Sequence, residues 1–224
     1  MTDVVQPDPP AATPAITADE LAAKVAARLC HDFMSPASGI VSGLDLLDDP
    51  NSKDLREEAM NLIATSAKKL VSHLEFARVA FGAYAGAESF DSREIEGLAR
   101  GVYAHVRPDL DWAVTLPQLP KAAARAVLNL AQIAAGALAT GGTARITAEP
   151  DGGDIVVVVE ACGPRVRLQP DIAAGLAGQP MGEGGLAGRW VQAYYLSALM
   201  KSAGGSVSVE PGEEKVRFTA RAPA

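Results

Sequence analysis

The stretch "RLCHDFMSPA", residues 28–37, sets a histidine beside an aspartate, with a proline five residues beyond the histidine. A neutral, accessible imidazole is a competent nucleophile near neutral pH. Asp32, next to His31, can orient the ring or favour one tautomer. Pro36 costs about 3 kcal/mol in a helix interior and frees the carbonyl of Asp32, four residues back. No cysteine or histidine stands at metal-ligand spacing from His31, and no second nucleophile, base or oxyanion donor is evident around it in sequence. Cys30 is adjacent but points about 100° away on a helix. Phosphoryl transfer between proteins needs only one exposed histidine, because the partner supplies the rest. An ordinary solvated helix face carries such a histidine too; Asp32 and Pro36 are what weigh against that reading.

The elements that must present His31 follow from hydrophobic spacing. Residues 1–16 hold Pro7, Pro9, Pro10 and Pro14 with little apolar mass, and read as a disordered tail. Thr17 and Glu20 form a capping box. Leu21, Val25, Leu29, Phe33, Pro36, Ile40, Leu44 and Leu47 then recur at helical spacing until "DDPNS" at 48–52. A second helix is predicted from Ser52 to Tyr84, with Leu55, Ala59, Leu62, Ile63, Leu70, Leu74, Ala77 and Phe81 as its stripe. On the first helix His31 falls about 200° from Leu29, opposite the stripe. Ala27, Ser35, Ser38 and Ser42 flank it as a row of small residues, and Lys24 and Arg28 lie on the same side.

Residues 17–85 therefore read as a helical hairpin whose stripe stays partly wet unless a second copy closes a four-helix bundle. A monomer would need the C-terminal half to cover that surface. Residues 86–91 mark a linker. Beyond it, 92–224 reads as α-β-α-β-β-α-β-β: a helix capped by Asp91 and Glu94, a strand "LDWAVTL", and a helix "KAAARAVLNLAQIAAGAL". The hairpin "TARITAE"/"DIVVVVEA" turns at "PDGG", and a Gly- and Pro-containing loop spans 163–188. The helix "RWVQAYYLSALMKSA" and a last hairpin around "PGEE" complete it. Helices on one face of a mixed sheet make an α/β sandwich.

A net charge of −7 and a pI of about 5.0 argue against nucleic acid as a partner. Two cysteines, Cys30 and Cys162, suggest neither a metal site nor a disulfide framework. No stretch reads as a signal peptide or membrane span, so a cytoplasmic location is expected.

"HDFMSP" resembles the phospho-acceptor motif of sensor histidine kinases, on the first helix of a hairpin like their dimerisation and phosphotransfer domain. "RAVLNLAQIAAGAL" is similar to their N-box helix, "VVVEACGP" to the first glycine box, and "GEGGLAGRW" onward to the second. The fold this implies is a dimeric four-helix bundle followed by a degenerate histidine-kinase ATPase-like (Bergerat) sandwich. The departures are informative. Asn129 aligns in the N-box, but the magnesium-binding Asn expected four residues on is Ile133. The Asp that would take the adenine amino group is Ala161. Neither side chain can coordinate Mg²⁺ or accept that hydrogen bond. The second box keeps Gly184, Gly185, Leu186 and Gly188 without the full glycine pattern, and reads as loop geometry rather than a phosphate cradle.

An intact acceptor histidine with an erased nucleotide site resembles the ChpT-type histidine phosphotransferases of alphaproteobacterial phosphorelays. That resemblance implies a cytoplasmic homodimer that binds no cofactor of its own. It implies that His31 takes a phosphoryl group from the receiver Asp of a hybrid kinase (CckA-like) and passes it to response regulators (CtrA-like, CpdR-like), with Mg²⁺ held by the receiver. Asp32 would orient His31, and Ser35 would contact the phosphoryl oxygens or keep the approach open. Arg28, Ser38 and Ser42 would meet the partner. Arg165 and Arg167 stand where a kinase carries its ATP lid and are positioned to dock acidic receiver sites. His73, at the edge of the second stripe, reads as a packed or interface histidine, and His105 as a helix-terminal one. An ATP-dependent histidine kinase with an atypical pocket and a non-catalytic receiver-binding dimer are the competing readings.

Overall fold

A computed structural model of the chain describes residues 16–50, 52–82, 86–182 and 187–224. The proline-rich tail (1–15), Tyr84, and Gly184, Gly185 and Leu186 of the second glycine box lie outside the described residues. Helix α1 (Ala18–Asp48) starts as the sequence predicts. Thr17 Oγ1 accepts the Glu20 amide at 3.2 Å while Glu20 Oε2 accepts the Thr17 amide at 2.9 Å. Helix α2 (Arg56–Ala80) is shorter than predicted, because Lys53–Leu55 form a 3₁₀ turn and the chain breaks at Gly82. Gly82 has a φ of +104°, and a Cβ there would meet the Arg125 guanidinium at 2.8 Å.

Small residues bring α1 and α2 together. Pro36 and Gly43 are the buried residues of α1, and Ala59 and Ser66 face them from α2. A Cβ on Gly39 would strike Ser66 Oγ at 2.4 Å, and one on Gly43 would strike Ile63 Cγ1 at 2.6 Å and the Ala59 carbonyl at 3.0 Å. The larger residues of the expected stripes are only partly covered: Leu44, Leu55, Leu62 and Leu74 are exposed. The same antiparallel register brings His73 of α2 against the backbone of Asp32, whose carbonyl Pro36 leaves without its helical donor.

The C-terminal half is a layer of helices on a mixed sheet of order β2-β4-β5-β7-β6. Its strands are β2 (Asp109–Trp112), β4 (Thr143–Asp151), β5 (Asp154–Cys162), β6 (Ser206–Gly212) and β7 (Lys215–Pro223). β2 pairs parallel with β4 and the remaining pairs are antiparallel. Ile155, Val157, Val159 and Ala161 alternate along β5 toward the helical layer. The layer consists of α3 (Ser92–Tyr103), the almost wholly buried α4 (Lys121–Ala137), α5 (Pro170–Leu176) and α6 (Ala187–Ser202). Gly152 and Gly153, with φ of +61° and +95°, make the predicted hairpin turn.

Several expectations need correction. Part of 86–91, read as a linker, is β1 (Ser89–Asp91), which pairs antiparallel with β3 (Gln118–Pro120). The strand "LDWAVTL" ends at Trp112, because the chain then leaves β4 to reach β3. Asp91 caps α3 through the Arg93 amide at 2.7 Å, not through a reciprocal box with Glu94. The 163–188 loop contains α5, which has Pro170 at its start and buries Ile172 and Leu176. Among the described residues no helix is long and apolar enough to cross a membrane.

The hairpin also shares the main core. Phe76, Val79 and Ala80 at the end of α2 are buried with the residues of α3, α4 and the sheet. Phe81 packs on Tyr195 of α6 with ring centroids 5.2 Å apart.

Two outcomes follow for stability. Gly43→Ala should destabilise by about 1–3 kcal/mol, because its Cβ overlaps Ile63 and a backbone carbonyl. Gly97→Ala, in open space on α3, should stabilise by about 0.5–1 kcal/mol. Urea midpoints of the two variants check this contrast. The second outcome concerns pH. Burial holds the His73 imidazole below the ordinary histidine range; the Asp32 carbonyl and carboxylate oppose this, while Lys69 and His105 reinforce it. The folded state then binds fewer protons than the unfolded chain. Stability from this group is complete above the unfolded value, about pH 6.5, and is lost as pH falls through the depressed folded value. Denaturation at pH 8 and pH 5.5 should show a smaller difference for His73→Gln than for the wild type.

Candidate functional site

His31 projects from the middle of α1 with 87% of its side chain exposed. Its Nδ1 lies 3.4 Å from Asp32 Oδ1. Sequence neighbours on a helix normally diverge, so the contact depends on what holds Asp32. Arg28 holds it: one turn toward the N-terminus, its Nε lies 3.4 Å from Asp32 Oδ2. The far end of the same guanidinium donates to the carbonyl of Gly188, in the first turn of α6. Only 16% of the Arg28 side chain is exposed. Burial lowers its pKa, Asp32 offsets this, and the nearby Arg189 charge lowers it further.

A groove of about 710 Å³ opens beside the histidine between α1 and the start of α6. His31, Asp32, Arg28 and Lys24 line it from one helix, and Arg189 from the other. With Nδ1 against Asp32, Nε2 is the ring nitrogen left outside that contact. The arrangement is an accessible imidazole with a carboxylate beside it, in a groove lined by cations. Such a site suits an anionic electrophile.

Ser35, Ser38 and Ser42 are exposed and continue along α1, but they do not line the groove. Arg167 and Arg165 separate. Arg167 lines a second cavity of about 170 Å³ with Arg28, Arg189, Ile133, Gln132 and Gln192. Arg165 is exposed and lines neither space. Sequence reasoning missed Arg189. Its one available signal was a cation in the first turn of a helix, where the dipole disfavours positive charge and α6 carries no acid.

The positions that depart from the kinase pattern are filled by packing. Ile133 is 4% exposed, and Ala161 is fully buried within β5. Asn129 is fully buried and has a structural task. Its Nδ2 donates to the carbonyls of Ala80 and Arg125 at 3.2 and 3.0 Å, and its Oδ1 accepts from Gln192 at 3.3 Å. It therefore ties α4 to the end of α2 and to α6. Among the described residues no group of three or more His, Cys, Asp or Glu is arranged to hold a metal ion.

The chain is 31% identical to protein phosphotransferase ChpT of Brucella abortus (strain 2308) over 206 residues, which span 92% of this chain and 97% of that protein. A solved structure of a bacterial phosphotransferase superposes with a TM-score of 0.81 at 30% identity, covering 92% of this chain and 98% of the other. Residues 92–215 match the family model of the histidine phosphotransferase C-terminal domain. An exposed histidine on a helical hairpin, joined to a C-terminal half of this kind, places the chain in the histidine phosphotransferase family.

Proposed function

We propose that this phosphorelay histidine phosphotransferase carries its phosphoryl group on His31. The observation that supports the reading is the placement of His31: 87% of its side chain is exposed, Nδ1 lies against Asp32, and the residue lines the groove. The donor is the aspartyl phosphate of a hybrid kinase receiver, of the CckA type, and the acceptors are response-regulator receivers of the CtrA and CpdR type. Nε2 attacks phosphorus in line. The bond to the receiver carboxylate oxygen breaks and its electron pair returns to the carboxylate, while the new P–N bond leaves the ring cationic with its proton on Nδ1. Asp32 stabilises that cation, and Arg28 keeps the carboxylate in place. The reverse sequence delivers the group to the next receiver, which supplies Mg²⁺.

ATP has no part in this reading. Ile133 and Ala161 occupy positions where a nucleotide would need a metal ligand and an acceptor, and both are packed side chains. Arg167 would meet the receiver from the adjoining cavity, and Arg165, Ser38 and Ser42 from exposed surface outside the groove. A second copy would cover the exposed Met34, Val41 and Leu44 of α1 and Met60, Val71 and Leu74 of α2, closing a four-helix bundle in the cytoplasm.

Incubation with a ³²P-labelled receiver should label the wild type and leave His31→Ala unlabelled. Labelled ATP should label neither. Asp32→Asn should slow transfer about 10–100-fold, as loss of an orienting carboxylate does elsewhere. Label on His31→Ala, or direct labelling by ATP, would refute the reading. For the dimer, Val41→Asp combined with Val71→Asp should shift the wild-type dimer to a monomer in light scattering.

A further inference from the structure

We propose that Arg189, contributed by the C-terminal half, is a catalytic residue that contacts the phosphoryl group in flight to and from His31. This rests on His31 being the phospho-acceptor. Arg189 lines the groove that His31 also lines, and a smaller cavity shared with Arg28, so it borders the same space as the imidazole. Among the described residues no ion pair or hydrogen bond ties down its side chain, which is exposed. Its near neighbour in charge is Arg28, a like charge that disfavours the arrangement until an anion arrives.

The other cations of the groove are committed or remote. Arg28 is held by Asp32 and by the Gly188 carbonyl, and little of it reaches solvent. Lys24 lies two turns from His31, about 10 Å along the helix. Arg189 comes from the opposite wall, and the Arg28 bond to the adjacent Gly188 fixes its backbone relative to α1. In the transfer, negative charge spreads over the equatorial phosphoryl oxygens while the P–O bond to the receiver breaks and the P–N bond forms. A fork of N–H donors facing those oxygens stabilises that state and the product phosphohistidine. The half-chain that lacks a magnesium ligand and an adenine acceptor thereby keeps a chemical task.

Phosphoramidate, a small donor that releases ammonia as its P–N bond breaks, separates chemistry from docking. With phosphoramidate and with a phosphorylated receiver, Arg189→Ala should lower the phosphorylation rate of His31 at least about 10-fold, through kcat more than KM. Arg189→Lys should recover part of it, and the thermal midpoint should hold because the residue is exposed. An unchanged rate with phosphoramidate, or a defect confined to the receiver KM, overturns the proposal and leaves Arg189 a docking residue at most. Failure of the wild type to be labelled on His31 by either donor sinks the underlying reading and this one together.

Discussion

The buried guanidinium of Arg28 is the contact on which the site depends. One side chain of α1 meets the carboxylate of Asp32 and the carbonyl of Gly188, 160 residues further along the chain. The first interaction orients His31 from behind. The second fixes the start of α6 beside it. Removing a buried charge of this kind would strand the carboxylate and the carbonyl together, so its effect would not divide into separate parts. His31 and the opposite wall of its groove are set by one group.

Around that contact, the C-terminal half is a structural layer whose buried polar groups are joined to one another. Asn129 spends both ends of its amide on Ala80, Arg125 and Gln192, and Gln192 donates onward to Gln132 at 2.6 Å. A buried amide without partners would cost more than the network returns, and here Asn129 is a joint between three helices. Ile133 and Ala161 add packing to the same layer.

The legible parts of the sequence were those governed by local rules. The capping box of α1, the glycine turn between β4 and β5 and the alternation along β5 were all readable because each depends on residues within a few positions. The exposure of His31 and its contact with Asp32 were readable for the same reason. The close approach of α1 to α2 was not, since glycines at 39 and 43 look like weak helix residues until Ser66 and Ile63 are placed against them. α5 has only seven residues, too few for periodicity to show. Strands β1 and β3 have three residues each, and their pairing rather than their composition defines them. Arg189 sits far from His31 in sequence, and its position emerges only after α6 has docked on α1. Arg165 and Arg167 looked equivalent two residues apart, but the loop backbone, anchored where the Arg167 amide donates to Ala137 at 3.0 Å, sends only one of them toward the cavity.

The last turns of α2 belong to two structures at once. Phe76, Val79 and Ala80 close the hairpin, yet they are buried in the same core as α4 and the sheet, and Phe81 rests on Tyr195. The piece that carries the histidine therefore cannot be lent to another protein as a self-sufficient cassette. Its base is the neighbour's interior, and excision would open that interior to water. Gene fusion or shuffling in this lineage would have to move both halves together.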